Sequence, residues 1–92
     1  MIESIRHKGL RELFEKGRSA KIQQDHKKRL QLILTILNAA KEVRDLNFPG
    51  SGLHQLKGDL DGYWSLRVSG NWRLVFRFED GDAIDIDYVD YH

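Results

Sequence analysis

Two histidines, a tyrosine and a set of cations give this chain the side chains from which metal-free phosphodiester chemistry is built. His54 stands in "LHQLKGDLDGYW" with Lys57 three residues on, and the chain closes on "DYVDYH", which holds Asp87, Asp90, Tyr91 and His92. An imidazole titrates near pH 6.5, close to where general acid-base catalysis works best. One such group can take the proton of a ribose 2′-hydroxyl and another can protonate the leaving oxygen. Arg or Lys can hold the charge that develops on phosphorus. This chemistry needs a tail that is held still, whereas chain ends usually fray. A final strand running into a sheet would hold it; a frayed His92 would do nothing.

Other chemistries find less support. Asp87, Asp90 and His92 offer oxygen and nitrogen ligands close together, but 87 points away from both 90 and 92 on a regular strand. Neither His-x-His nor HExxH spacing occurs, and there is no cysteine, so no metal site is expected. "GRSAK" does not match the phosphate-cradling GxxxxGK[ST] pattern, and no dinucleotide fingerprint is present. No cofactor is implied.

The 92 residues fit one domain, 1–92. No apolar stretch approaches a membrane span, 32% of residues are charged, and the N-terminus lacks a signal-peptide pattern. A cytoplasmic protein with no membrane partner is expected. The net charge of +1 conceals an asymmetry: residues 1–50 carry 11 Lys or Arg against 6 Asp or Glu, and residues 51–92 carry 4 against 8. A basic face toward phosphate or an acidic partner would explain it, as would solvated helix surfaces.

The elements that must position these groups follow from periodicity. "MIESI" alternates as a short strand. In "KGLRELFEKG", Leu10, Leu13 and Phe14 recur at helical spacing before Gly17. A second helix is predicted over 24–40, with Leu30, Ile33, Leu34 and Leu37 on one side, widened by Leu32, Ile36 and Ala39. "NFPGSG" is a turn. The period then becomes two through "GYWSLRV", "NWRLVFRF" and "AIDIDYV", a meander of three strands. Trp64, Leu66, Val68, Trp72, Leu74, Phe76, Phe78, Ile84, Ile86 and Tyr88 fall on one face. The predicted fold is α+β: an antiparallel sheet of the N-terminal strand plus the C-terminal meander, with two or three helices on one face.

Paired residues in an antiparallel ladder share a face, so matching the apolar faces requires paired numbers of even sum and loops of odd length. Three-residue "SGN" and "EDG" loops would set Arg67 against Arg73, Phe76 against Ile84 and Arg73 against Asp87. Like charges directly opposed are destabilising. Three outcomes are open: Asp87 and Asp85 neutralise the arginines, the stems splay into solvent, or the pair awaits an anion such as a nucleic-acid backbone.

The segments "HKGLRELFEKG", "LHQLKGDLDGYWSLRVSGNWRLVFRFEDGD" and the final "DYH" together resemble the HigB branch of the RelE-type bacterial toxins, and the likeness runs the length of the chain. The resemblance implies a RelE-like fold and ribosome-dependent endoribonuclease activity on mRNA, with a co-expressed HigA-type antitoxin as inhibitor. It places the catalytic set on His54, Asp90, Tyr91 and His92, and phosphate contacts on Lys57 and Arg73, with Asn71 and Arg67 as further RNA-facing candidates. His92 would lead as general acid or base with His54 its partner. Asp90 would orient the imidazole or the substrate, and Tyr91 would stack on a base or assist proton transfer. Lys27, Lys28 and Arg29, with Lys16, Arg18 and Lys21, would meet ribosomal RNA. No role follows for His7, which is expected as a surface histidine. The alternative is a domain of the same fold that binds antitoxin or RNA without cutting.

Overall fold

Leu10 and Leu13 are spaced to share one side of a helix. The computed structural model, which describes residues 1–91, forms helix α1 over Lys8–Lys16 with both buried. Gly17 ends it in the left-handed region (φ 78°), returning its N–H to the Leu13 carbonyl, a conformation glycine adopts without a Cβ penalty. Phe14 remains 40% exposed rather than joining the core. At the other end His7 caps the helix: its Nδ1 accepts the Leu10 N–H at 3.1 Å. His7 is thus a half-buried capping group and not the surface histidine expected.

A 3-10 turn over Gln24–His26 leads into α2, Lys27–Ala39, so the predicted second helix begins more tightly wound than expected. Leu30, Ile33, Leu34 and Leu37 are buried on it as their spacing requires. Leu32 and Ala39 lie exposed beyond the edge of that face.

The meander forms as expected: β2 (Trp64–Ser69), β3 (Trp72–Glu79) and β4 (Asp82–Asp90), all antiparallel. The remaining strand of the sheet is not the N-terminus. It is β1, His54–Gln55, paired antiparallel to β2, and the order is β1-β2-β3-β4. Residues 1–6 instead run along the outer edge of β4 through two isolated parallel bridges, Ile2 to Ala83 and Ile5 to Ile86. Regular pairing fails between them because Asp85 has φ 54° and gives its N–H to Ser4 Oγ at 2.8 Å. The bridges still cover an edge that would otherwise be open.

Both hairpins turn through two residues, not three. Asp80 and Gly81 both take positive φ, the demand of a type I′ turn, and Gly70–Asn71 forms the other loop. The odd residue that parity requires sits instead in a bulge within each hairpin, one between Arg67 and Ser69 and one on β4 at Asp85. Arg67 therefore opposes Arg73 as predicted. The other two pairings do not form: Arg73 opposes Val89 and Asp87 opposes Val75. Ile84, predicted inward, pairs with Arg77, and Ala83 takes the core position.

Leu66, Leu74, Phe76 and Ile86 on the covered face, and Leu10, Leu30, Ile33 and Leu37 from the helices, have no exposed surface. Each such side chain stabilises the fold by about 1.5–3 kcal/mol. Among the described residues, no helix is long and apolar enough to cross a membrane.

Candidate active site

The face of the sheet turned away from the helices carries an open cleft of about 430 Å³, lined by His54, Lys57, Ser65, Asn71, Arg73 and Tyr91, with Gln55, Leu56 and Gly70. Four separate stretches of chain build it. His54 lies on β1 directly opposite Ser65 of β2, so ladder geometry places both on one side. Beyond it Leu56 donates its N–H to the Tyr63 carbonyl at 2.9 Å, closing the loop that starts with Lys57.

The approach to β1 is clamped against β2. The Arg67 N–H donates to the Ser51 carbonyl at 2.8 Å, and Gly52, at φ 59°, runs so close that a Cβ there would lie 2.9 Å from Arg67 Cβ. From α2, the Arg29 guanidinium donates to the Gly50 carbonyl (2.7 Å) and the Arg67 carbonyl (3.0 and 3.2 Å), above the Phe48 ring. Arg29, grouped by sequence with cations facing ribosomal RNA, commits these donors inside the molecule. Lys28 is exposed and Lys27 half-buried.

The opposed arginines are not neutralised by the expected acids. Asp85 faces Arg77 at 3.4 Å and Ser4, and Asp87 Oδ1 accepts the Tyr88 N–H at 2.9 Å. Among the described residues, no carboxylate forms an ion pair with Arg67 or Arg73. Arg67 extends into solvent, whereas Arg73 lies half-buried with Nη1 3.4 Å from Ser65 Oγ. The floor of the cleft therefore keeps a cation.

The ladder runs to the pair Trp72 and Asp90, and one further bond, from the Tyr91 N–H to the Asn71 carbonyl at 2.7 Å, carries the chain into the cleft. Tyr91 stands beside Asn71 and Arg73. Strand alternation puts Asp90 on the side of Tyr88 and Trp72, away from Tyr91. His92 lies outside the described residues. The structure thus brings together His54, Lys57, Asn71, Arg73 and Tyr91, and sets Asp90 and Arg67 apart from them. Among the described residues, no three His, Cys, Asp or Glu side chains are grouped to hold a metal ion.

Ser65 was not singled out by sequence, yet it is 1% exposed at the base of the cleft between His54 and Arg73. Its signal was present: a small hydroxyl residue in "YWSLRV", at the parity of Arg67, leaves room where a large side chain would fill the face.

The HigB-like toxin family, described as the RelE-like toxin of the type II toxin-antitoxin system HigB, matches residues 3–92. Endoribonuclease HigB of Proteus vulgaris is 45% identical over 92 residues, the whole of both chains. Toxin HigB-1 of Vibrio cholerae is 42% identical over 60 residues, covering 64% of this chain and 62% of that protein. Toxin YoeB of Synechocystis sp. is 40% identical over 65 residues, 70% of this chain and 72% of that protein. With a family match across nearly its whole length and an α+β fold of the expected kind, the chain belongs to the HigB family of RelE-like toxins, the toxin half of a type II toxin–antitoxin system.

Proposed function

We propose that this toxin is an endoribonuclease that cuts mRNA on the translating ribosome in the bacterial cytoplasm, is restrained by a cognate HigA-type antitoxin, and uses side chains alone for the chemistry. The observation that carries the reading is the convergence of His54, Lys57, Arg73 and Tyr91 on one open, cationic cleft. In this reading the 2′-hydroxyl attacks the adjacent phosphorus after a base, His54 or His92, removes its proton. The other imidazole protonates the departing 5′-oxygen, leaving a 2′,3′-cyclic phosphate and a 5′-hydroxyl. Lys57 and Arg73 hold the charge of the pentacoordinate phosphorus, and Tyr91, 39% exposed, stacks on a base. Asp90, on the opposite side of the strand, acts on the tail and not on the phosphate.

Free RNA should be cut poorly, because the ribosome concentrates and orients the message. The test is mapping of 5′ ends in a reconstituted translation system with and without ribosomes, for the parent and His92→Ala. Ribosome-dependent cuts that fall about 10²–10⁴-fold in the variant are expected. Equal cutting of naked RNA would overturn ribosome dependence, and no cutting by folded parent would leave a binding module.

A further inference from the structure

Behind the cleft, on the helix side of β4, lies a cluster of ionisable and aromatic groups that the proposed chemistry does not use. His26, 9% exposed in the 3-10 turn before α2, holds Nδ1 2.6 Å from the hydroxyl of Tyr88, which is 5% exposed. The Gln23 N–H also approaches that hydroxyl, at 3.4 Å. The Tyr88 ring stacks on Trp72 at 4.6 Å and meets the edge of His7 at 5.3 Å. His26 in turn packs edge-on against Trp72 at 5.8 Å. In the tautomer that carries its proton on Nε2, Nδ1 accepts the Tyr88 O–H while the phenol oxygen accepts the Gln23 N–H.

Two features make this more than a packed corner. A buried hydroxyl and a buried imidazole each need a partner, and each supplies the other's short bond; without His26 the hydroxyl would keep only the longer Gln23 N–H contact. Moreover, the cluster grips the end of β4 at both strands of its last ladder pair: Trp72 is the partner of Asp90, and Tyr88 lies two residues before it. After that pair, the Tyr91 N–H to Asn71 carbonyl bond holds the backbone. Without the cluster the end of β4 would open readily, as strand ends with few buried contacts do.

We infer that His26 is a positioning residue which, through the Tyr88 hydroxyl and the Trp72 stack, anchors the end of β4 to the α1–α2 connection and so fixes Tyr91 at the cleft. This rests on the proposed role of the tail in cutting RNA. His26 is no part of the cleft lining; it acts through Tyr88 and Trp72.

The test pairs a structural readout with a kinetic one. Tyr88→Phe keeps the ring stack and removes only the hydroxyl. His26→Leu removes the acceptor, and His26→Asn restores one near the position of Nδ1. Native-state amide exchange of Tyr91 should quicken about 3- to 10-fold in Tyr88→Phe and His26→Leu, as expected for loss of one hydrogen bond, with amides of α2 and β2 unchanged. His26→Asn should recover part of the protection. Single-turnover cleavage on the ribosome should slow about 10- to 100-fold at unchanged ribosome affinity. Unchanged exchange at Tyr91, or a uniform rise across the sheet, would overturn the anchor and leave ordinary core packing. An inactive parent would sink the acid-base reading, while the exchange comparison would still decide whether the anchor exists.

Discussion

The two faces of the sheet are made by alternate residues of the same three strands and have opposite construction. On the covered face Leu66, Leu74, Phe76 and Ile86 have no exposed surface. On the other, Arg67 opposes Arg73 across the ladder over a floor of Ser65 and Val75, with His54 above. Opposed like charges destabilise a sheet by roughly the amount that a good cross-strand pair contributes, below about 1 kcal/mol. Burial of one large apolar side chain exceeds that. Apolar burial on one face thus offsets a cationic surface, without an acid for Arg73 among the described residues, on the other. The apolar core and the cationic cleft thus occupy opposite sides of the same strands.

Substitutions on the two faces should therefore have separable effects. His54 is exposed, so His54→Ala should slow ribosome-dependent cleavage by about 10²–10⁴-fold while calorimetry finds little change in Tm. Phe76→Ala should do the reverse in origin: about 3–5 kcal/mol of stability lost, read from urea unfolding, with cleavage falling only as folded protein disappears. A destabilised His54→Ala, or a stable Phe76→Ala that has lost cleavage, would break the distinction.

Gly52 sharpens it, because there the backbone of the site approach presses on the stem of Arg67. Gly52→Ala must place a Cβ 2.9 Å from Arg67 Cβ at a φ of 59°. A loss of about 1–3 kcal/mol is expected, together with slower cleavage because the strand carrying His54 follows two residues on. Unaltered cleavage in a folded Gly52→Ala would mean that the clamp does not set the cleft.

The smallest effect concerns the covered face at alkaline pH. Burial raises the Tyr88 hydroxyl above its ordinary value, partly countered by the Gln23 N–H. The folded form therefore keeps a proton that the unfolded chain releases above about pH 10. The associated stability is fully present below that value and is lost as pH rises through the folded pKa. Tyr88→Phe should lack this component of the alkaline decline in unfolding titrations. An identical decline in parent and variant would remove Tyr88 as its source.

Much of the fold was legible in the residues. Leu30, Ile33, Leu34 and Leu37 announce a helix face, and alternation through 64–68, 72–78 and 84–88 announces the meander, because burial on one side imposes those periods. The need for an odd residue in each hairpin was legible too. Its location was not: parity counts residues and is blind to whether the extra one lies in a loop or a bulge. Asp85 took the bulge on β4, where Ser4, distant in sequence, receives its N–H. That shifted Ile84 out of the core and Asp87 away from Arg73.

For the site, residue identity alone supplied the groups on offer: an imidazole at His54, cations at Lys57 and Arg73, and a phenol ring at Tyr91. Tertiary structure decided which of them meet. Two residues at 54–55 became a strand because β2 offered a free edge. Arg29 turned inward because the Gly50 and Arg67 carbonyls converged beneath it. Asp90 shares the parity of Tyr88, so alternation placed it on the helix side, but only the folded sheet set Trp72 opposite it. Side-chain chemistry is a property of one residue, whereas convergence depends on contacts between segments far apart in the chain. The second is fixed only when the core has chosen its packing.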